Sequence, residues 1–451
     1  MLPRLRSSNW PAVDGPSVLD PLPLMSSTLL ATQRSRLQRL HLGNGITLLL
    51  GQNPTVEILA AHCFFRGGSR VEQPQQAGLS HLLAAVLTKG TRQRNSQAIA
   101  AWVESLGASL SVDSAADHFE VGLRCVAEDF PELLQLLAEI LRDPSFPEAE
   151  VARERELMLQ AIRAQQERPF NLAWDQVRQA LYRDHPYALP GLGRLETVGS
   201  LTREDLLAYH STYCRPEGMV MAVIGPEPPE TMAAQVEAVL GDWVSAGPPA
   251  PDPTLPLPPL EKPQLRKLSQ PTQQTTIVLG FRGSPASSAD YPALKLLATY
   301  LGSGLSSRLF VELRERGGLA YEVSAFFATR RDPAPFVAYL GTAAENTPVA
   351  LERLPAEIQR LHDTLLRSEE VEMAQRKLLG QYALSKQTNA QVAQLAGWYE
   401  ILGLGMEFDQ QYLQRVRQLT PAHLQQAAKT YLVNPAIALV GPEEALAKVE
   451  L

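Results

Sequence analysis

Apolar positions fall into two periods along this chain. ITLLLGQN (46–53) and VEILAAHCFFRGG (56–68) are short apolar runs closed by turn residues, which predicts two strands. An apolar face of helical period follows over 78–88. A second covers SQAIAAWVESLG (96–107), which ends on a glycine stop. SLSVDSAADHFEVGLRCV (109–126) alternates and predicts a hairpin. DFPELLQLLAEILRDPSF (129–146) and the longer PEAEVARERELMLQAIRAQQERP (147–169) predict helices. TQQTTIVLGFRG (272–283) and FVAYLGTA (336–343) then read as strands, and EEVEMAQRKLLGQYALSKQ (369–387) as a long helix.

The strongest break is AGPPAPDPTLPLPPLEKP, residues 246–263, where eight of 18 residues are proline. Proline removes backbone donors and favours extended chain, so this segment predicts a semi-rigid linker. The sequences on either side resemble each other. Leu201, Thr202, Leu206, Thr212 and Tyr213 match Leu419, Thr420, Leu424, Thr430 and Tyr431 at an offset of 218. Phe65-Arg66-Gly67 matches Phe281-Arg282-Gly283 at an offset of 216. Identities at nearly one offset point to duplication. The expected fold is α+β: two homologous halves, each a mainly antiparallel sheet with helices packed on one face. Residues 36–245 and 264–451 form the halves. Residues 1–35, rich in proline and serine, read as a poorly ordered extension in which Met25 is a second candidate start.

Composition narrows the function. The chain has 451 residues, 45% hydrophobic and 20% charged, with a net charge of −7 and no basic cluster, which argues against a nucleic-acid partner. Three scattered cysteines, Cys63, Cys125 and Cys214, form no disulfide framework or cysteine metal site and favour a reducing compartment. No apolar run reaches the length of a membrane span and no secretory signal is evident, so a cytoplasmic protein is expected.

The segment RGGSRVEQPQQAGLSHLLAAVLTKGT (66–91) carries chemistry by what it holds and what it does not. It resembles the inverted zinc-motif segment of the pitrilysin and mitochondrial-processing-peptidase family, with its Gly-Ser-Arg turn, Gly-Leu-x-His helix start and Lys-Gly-Thr helix end. The resemblance covers about residues 36–451. In that family a His-x-x-Glu-His helix supplies two zinc ligands and the general base, and a later helix supplies a glutamate ligand. Laid on this pattern, His81 matches the first ligand, Ala84 stands at the base, Ala85 at the second ligand and Ala161 at the third; Glu154 falls on the later helix's first acidic position. One histidine cannot hold zinc tightly, and no other two histidines stand at i+3 or i+4. The chain is therefore expected to bind no metal, and His81 to be an ordinary helix-face histidine.

The second half carries LGSGLSSRLFVELRERGGLAYEVSAFF (301–327). SSRLFVELRER predicts a helix that Ser306 or Ser307 can cap and Gly317-Gly318 ends, and LAYEVSAFF a strand. Arg314 thus lies in the last helical turn and Tyr321 at the strand's entry. The Arg-x6-Tyr spacing, in its Leu-Arg-Glu-x-x-Gly-Leu-x-Tyr frame, resembles the family's arginine–tyrosine pair, which the resemblance implies binds substrate carbonyls and stabilises the oxyanion beside the zinc of the facing half. Gly302, Ser303 and Gly304 resemble a shortened glycine-rich loop of the family's non-catalytic processing-peptidase subunit; a loop beside a peptide channel and a helix-capping turn are both open. The resemblance implies a zinc-less subunit of a heterodimeric zinc metallopeptidase. It would supply Arg314 and Tyr321 to a zinc-bearing homologue and close a chamber around a peptide or unfolded polypeptide. An inert scaffold subunit, an independently active peptidase and a homodimer of the isolated chain remain alternatives.

Overall fold

Among the described residues, eleven strands assemble into two sheets of one topology. The computed structural model describes residues 37–245, 247–249 and 255–449, so the expectation for 1–35 lies outside the described residues. The first sheet contains β1 (Gln38–His41), β2 (Thr47–Gln52), β3 (Ile58–Arg66), β4 (Ser109–Ser114), β5 (His118–Val126) and β6 (Val220–Gly225), in the order β1-β2-β6-β3-β5-β4. The second contains β7 (Gln264–Ser269), β8 (Gln274–Arg282), β9 (Glu322–Phe327), β10 (Pro335–Ala343) and β11 (Ala436–Gly441), in the order β7-β11-β8-β10-β9. β2 pairs parallel with β6 and β7 parallel with β11, and every other pairing is antiparallel. Without β1, the two orders are the same pattern. The repeated Leu-Thr dipeptides have one role: Thr202 and Thr420 each cap a helix by accepting from the backbone N–H three residues on.

Each strand of the sheet centres has two buried faces. Along β3, Leu59, Ala61, Cys63 and Phe65 meet the helices of their own half, while Ala60 and Phe64 point to the opposite face. That opposite face is not left to solvent. Helix Asn389–Ile401, from the second half, lays Ala393, Ala396 and Ile401 against it. Reciprocally, helix Pro169–Tyr182 of the first half sets Ala173, Val177 and Leu181 on Val278, Val337 and Ala438 of the second sheet. The expected layer of helices on one face of each sheet is present, and this exchange adds one helix on the other. A glycine stands at each crossing. A Cβ on Gly397 would lie 2.3 Å from the Phe64 ring, and one on Gly280 would lie 2.2 Å from Val177.

Polar contacts also cross between the halves. Arg70, of the Gly-Ser-Arg turn, is buried and its Nε donates to Asp332 at 2.6 Å. His185 Nδ1 accepts from the Tyr187 backbone N–H at 3.1 Å, which leaves Nε2 protonated, 3.3 Å from the same carboxylate. Burial alone would raise the Asp332 pKa, but hydrogen bonds from His185 and Arg70 outweigh it and hold the carboxyl below its usual value. At the linker's start the Gly247 carbonyl accepts from Arg215 Nη2 of the first half at 2.6 Å, and further along Asn434 donates to the Leu260 carbonyl at 2.8 Å and Arg282 to that of Pro258. Among the described residues no helix is long and apolar enough to cross a membrane.

Two outcomes are expected. Gly280→Ala drives a methyl into Val177 and should lower unfolding free energy by about 1–3 kcal/mol in urea titrations, as overpacking of a core does. Asp332→Asn should cost about 2 kcal/mol, below the range for a fully buried pair because the carboxylate is partly exposed. The contribution of Asp332 is present above the ordinary carboxylate pKa and is lost as pH falls through its lower folded value. The variant's deficit should therefore shrink in acid, as read from unfolding curves across that range.

Candidate functional site

The helix Leu79–Val86 carries the segment that resembles a zinc-motif helix. Its first turn is held by Glu72, whose carboxylate accepts from Gly78 N at 2.9 Å and from Ser80 N at 2.7 Å and Ser80 Oγ at 2.6 Å. Burial raises the Glu72 pKa and these bonds oppose the rise. Gly78 enters the helix at φ +99°, where a Cβ would also meet the Leu192 carbonyl at 2.8 Å. Gly68 has φ +70°, and a Cβ there would stand 2.1 Å from the Ala115 carbonyl. The Gly-Ser-Arg turn is thus pressed onto the β4–β5 turn, where Ser69 N and Arg70 N donate to the Ala115 and Ala116 carbonyls.

The groups that would face a metal are missing from this framework. His81 is half-buried, and its side chain forms no hydrogen bond to another described residue. Burial lowers its pKa, with the charge of Asp113 opposing. Ala84 is buried, Ala85 half-buried and Ala161 exposed. Glu154, on helix Glu148–Gln166, pairs with Lys89 at 3.0 Å. Among the described residues no three His, Cys, Asp or Glu side chains are grouped to hold a metal ion, so the residues present do not fit a zinc site. Beside the helix, Ser114 Oγ at the end of β4 donates to Ser80 Oγ at 2.9 Å. β4 is an edge strand, so the backbone of its outer side has no strand partner.

In the second half the expected helix after Ser307 takes π geometry over Phe310–Glu315, with Arg316 N bonded to Val311 O five residues back. Ser307 stands where the helix begins, its carbonyl accepting from Val311 N at 3.0 Å, but neither serine side chain makes a capping bond, and Ser307 Oγ is buried without a partner among the described residues. Leu309 and Leu313 are fully buried on the core side. Isolated π turns concentrate at functional positions. Glu312 takes Arg308 at 3.2 Å and Arg316 at 2.7 Å, and Glu357 also takes Arg308 at 2.9 Å. Arg314 is left exposed and unpaired among the described residues, with its guanidinium 4.9 Å from the centre of the Phe310 ring. Tyr321 is 61% exposed; its backbone N–H is fixed to Gly341 O at 2.9 Å while its hydroxyl makes no bond to a described residue. Two donors thus stand on anchored backbone with no protein acceptor of their own.

The Gly302–Gly304 loop is tethered. A Cβ on Gly302 would overlap Ala325 N at 1.8 Å, so glycine is needed where the helix Tyr291–Gly302 ends against β9. Ser303 accepts from Lys377 at its carbonyl and from Gln381 at Oγ, at 3.0 Å for the latter. Leu305 beyond it is 73% exposed. Sequence reasoning did not single out Glu72, Asp332 or His185. Glu72 lies inside the quoted motif, but its bonds to Gly78 and Ser80 span six and eight residues through a non-repetitive turn; the other two act through contacts between the halves.

Comparisons with known proteins bear on the family and the fold. Residues 47–194 match the family described as Insulinase (Peptidase family M16), and residues 200–378 match the Peptidase M16 inactive domain. An uncharacterized zinc protease of Rickettsia bellii is 25% identical over 413 residues, covering 89% of this chain and 96% of its own length. One of Bacillus subtilis is 27% identical over 412 residues, covering 88% and 97%. The crystal structure of a protease from Helicobacter pylori aligns with a TM-score of 0.85 at 18% identity, over 90% of this chain and 100% of that one. That of a peptidase M16 inactive domain from Pseudomonas fluorescens aligns at 0.84 and 24% identity, over 90% and 98%. At such identities the two structures speak for the fold alone. With both halves matched by one family, and with alanine at two of the three ligand positions and at the base position, the chain belongs to the M16 peptidase family as a member that lacks the zinc motif.

Proposed function

We propose that this chain is the zinc-less subunit of a heterodimeric zinc peptidase. Zinc and the general base reside in a homologous partner, and this chain closes the peptide chamber and presents Arg314 and Tyr321 to the substrate. The observation that carries the reading is the asymmetry between the sites. Two of the three ligand positions and the base position are methyl groups, whereas the guanidinium and phenol stay exposed, unpaired and mounted on a π turn and a fixed strand entry. A guanidinium and a phenol aimed at a carbonyl lower the energy of its developing negative charge. The unpaired outer edge of β4 supports a role in holding extended peptide, since a strand can add to it. A cytoplasmic location of both subunits is part of the same proposal. The inert-scaffold alternative draws on the tethered Gly302–Gly304 loop, and the experiment below separates the two.

Co-purification should recover a homologue with a complete zinc motif, and the mixture should cleave peptide when neither chain does so well alone. In that mixture Arg314→Ala should lower kcat/KM by about 100-fold, as loss of an oxyanion donor does, and Tyr321→Phe should also lower it. Unchanged kcat/KM in both variants would leave the scaffold reading. The isolated chain should carry zinc far below one ion per chain in metal analysis. Ala85→His with Ala161→Glu, added to His81, should restore stoichiometric zinc, because the framework around those positions is intact.

A further inference from the structure

Between the halves lies a cleft of roughly 210 Å³ that neither the vacated helix nor the Arg314–Tyr321 pair accounts for. Its walls come from four places: Ser114 at the end of β4, Trp174 and Arg178 on helix Pro169–Tyr182, Tyr187, and Arg330 in the turn between β9 and β10. Ser114 is the residue bonded to Ser80 of the vacated helix, so the cleft opens where the unpaired edge of β4 ends.

The charges around it do not balance locally. Asp175 takes Arg178 and Arg194; Asp332 takes Arg70; Asp117 accepts from the Tyr187 hydroxyl and from Arg331 N. These three carboxylates are engaged, and Arg330 has none. Its guanidinium makes no hydrogen bond or ion pair with a described residue and stands 6.0 Å from the Tyr187 ring centre. The Arg178 side chain is 14% exposed. Its Nε donates to Ala188 O at 3.2 Å and Nη2 to Asp175, which leaves Nη1 without a bond to a described residue. Burial lowers the Arg178 pKa, and the charges of Arg194 and Arg330 add to that against the pull of Asp175. Two guanidinium groups that repel each other thus share one cleft, each with donors to spare, beside the flat face of an indole. Arginine forks match planar oxyanions. A carboxylate between Arg178 and Arg330 would satisfy the open donors and relieve the repulsion.

We propose that this cleft is a carboxylate-binding pocket, with Arg178 and Arg330 as its donors and Trp174 as its wall. Its size admits one side chain or chain end. The occupant is the carboxylate of a peptide lying along β4, from an acidic side chain or from a C-terminus. Identifying the occupant as peptide rests on the chamber role proposed above; the pocket chemistry does not.

The full chain, labelled with 5-fluorotryptophan and with the Trp174 resonance assigned through Trp174→Phe, is titrated near neutral pH with small probes. N-acetylglutamic acid α-amide carries only a side-chain carboxylate, N-acetylglycine only a chain-end carboxylate, and N-acetylglutamine amide neither. At least one acidic probe should shift the Trp174 resonance saturably, the neutral probe should not, and Arg330→Gln should weaken the acidic probe by about tenfold. The tighter acidic probe identifies the source of the carboxylate. The pocket is overturned if the neutral probe binds as well, if neither acid binds, or if Arg330→Gln titrates like the parent chain. No partner and no turnover enter this measurement, so its failure leaves the Arg314 and Tyr321 result standing, and the converse holds.

Discussion

The structure depends on an exchange of helices. Each sheet has two apolar faces, and each half covers only one of them with its own helices. The second cover comes from the other half: Asn389–Ile401 on the first sheet and Pro169–Tyr182 on the second. A lone half would leave Phe64 or Val278 and their neighbours in water, so burial itself ties the halves together. The close crossings need the missing side chains of Gly280 and Gly397. Once the halves are locked, the turns at the ends of their sheets meet, and the Arg70–Asp332–His185 contact and the Arg178–Arg330 cleft come into being.

The fold around the helix Leu79–Val86 is held by groups other than the positions that resemble zinc-ligand sites. The vacated helix is held by Glu72 at its first turn, by the positive-φ glycines 68 and 78, and by the hydrogen bonds of the Gly-Ser-Arg turn to the β4–β5 turn. None of these groups is a ligand position. Alanine at 85 and 161 offers no coordinating atom and alanine at 84 no base, while Ala84 packs into the core and Ala161 lies exposed. The second half kept its exposed donors, and Arg314 owes its freedom to Glu312 and Glu357 taking the arginines on either side of it.

Much of this was legible in the residues. Strands β2, β3, β5, β8 and β10 and the helices at 79–86, 96–105, 130–142, 148–166 and 368–384 lie where period and turn residues place them. The shared Leu-Thr dipeptides turned out to be matching helix caps. The exchanged helix Asn389–Ile401 was not legible. It is packed on two sides, with Ala393 and Ala396 against the first sheet and Leu395 and Tyr399 against the second half's core, so its apolar residues form no single stripe. The π turn escaped notice as well, because a few residues cannot distinguish a spacing of four from one of five along a helix.

By itself the sequence determined the elements, the duplication and the identity of the atoms available for chemistry, since these follow from local period and from side-chain type. An alanine cannot coordinate a metal in any fold. Tertiary structure alone decided which surfaces cover each other, that Arg70 meets Asp332, and that Arg330 faces Arg178 without a carboxylate between them. Those contacts join residues 150 or more positions apart, and their partners are chosen by how two curved sheets and two exchanged helices fit together. No local pattern in a chain encodes that fit.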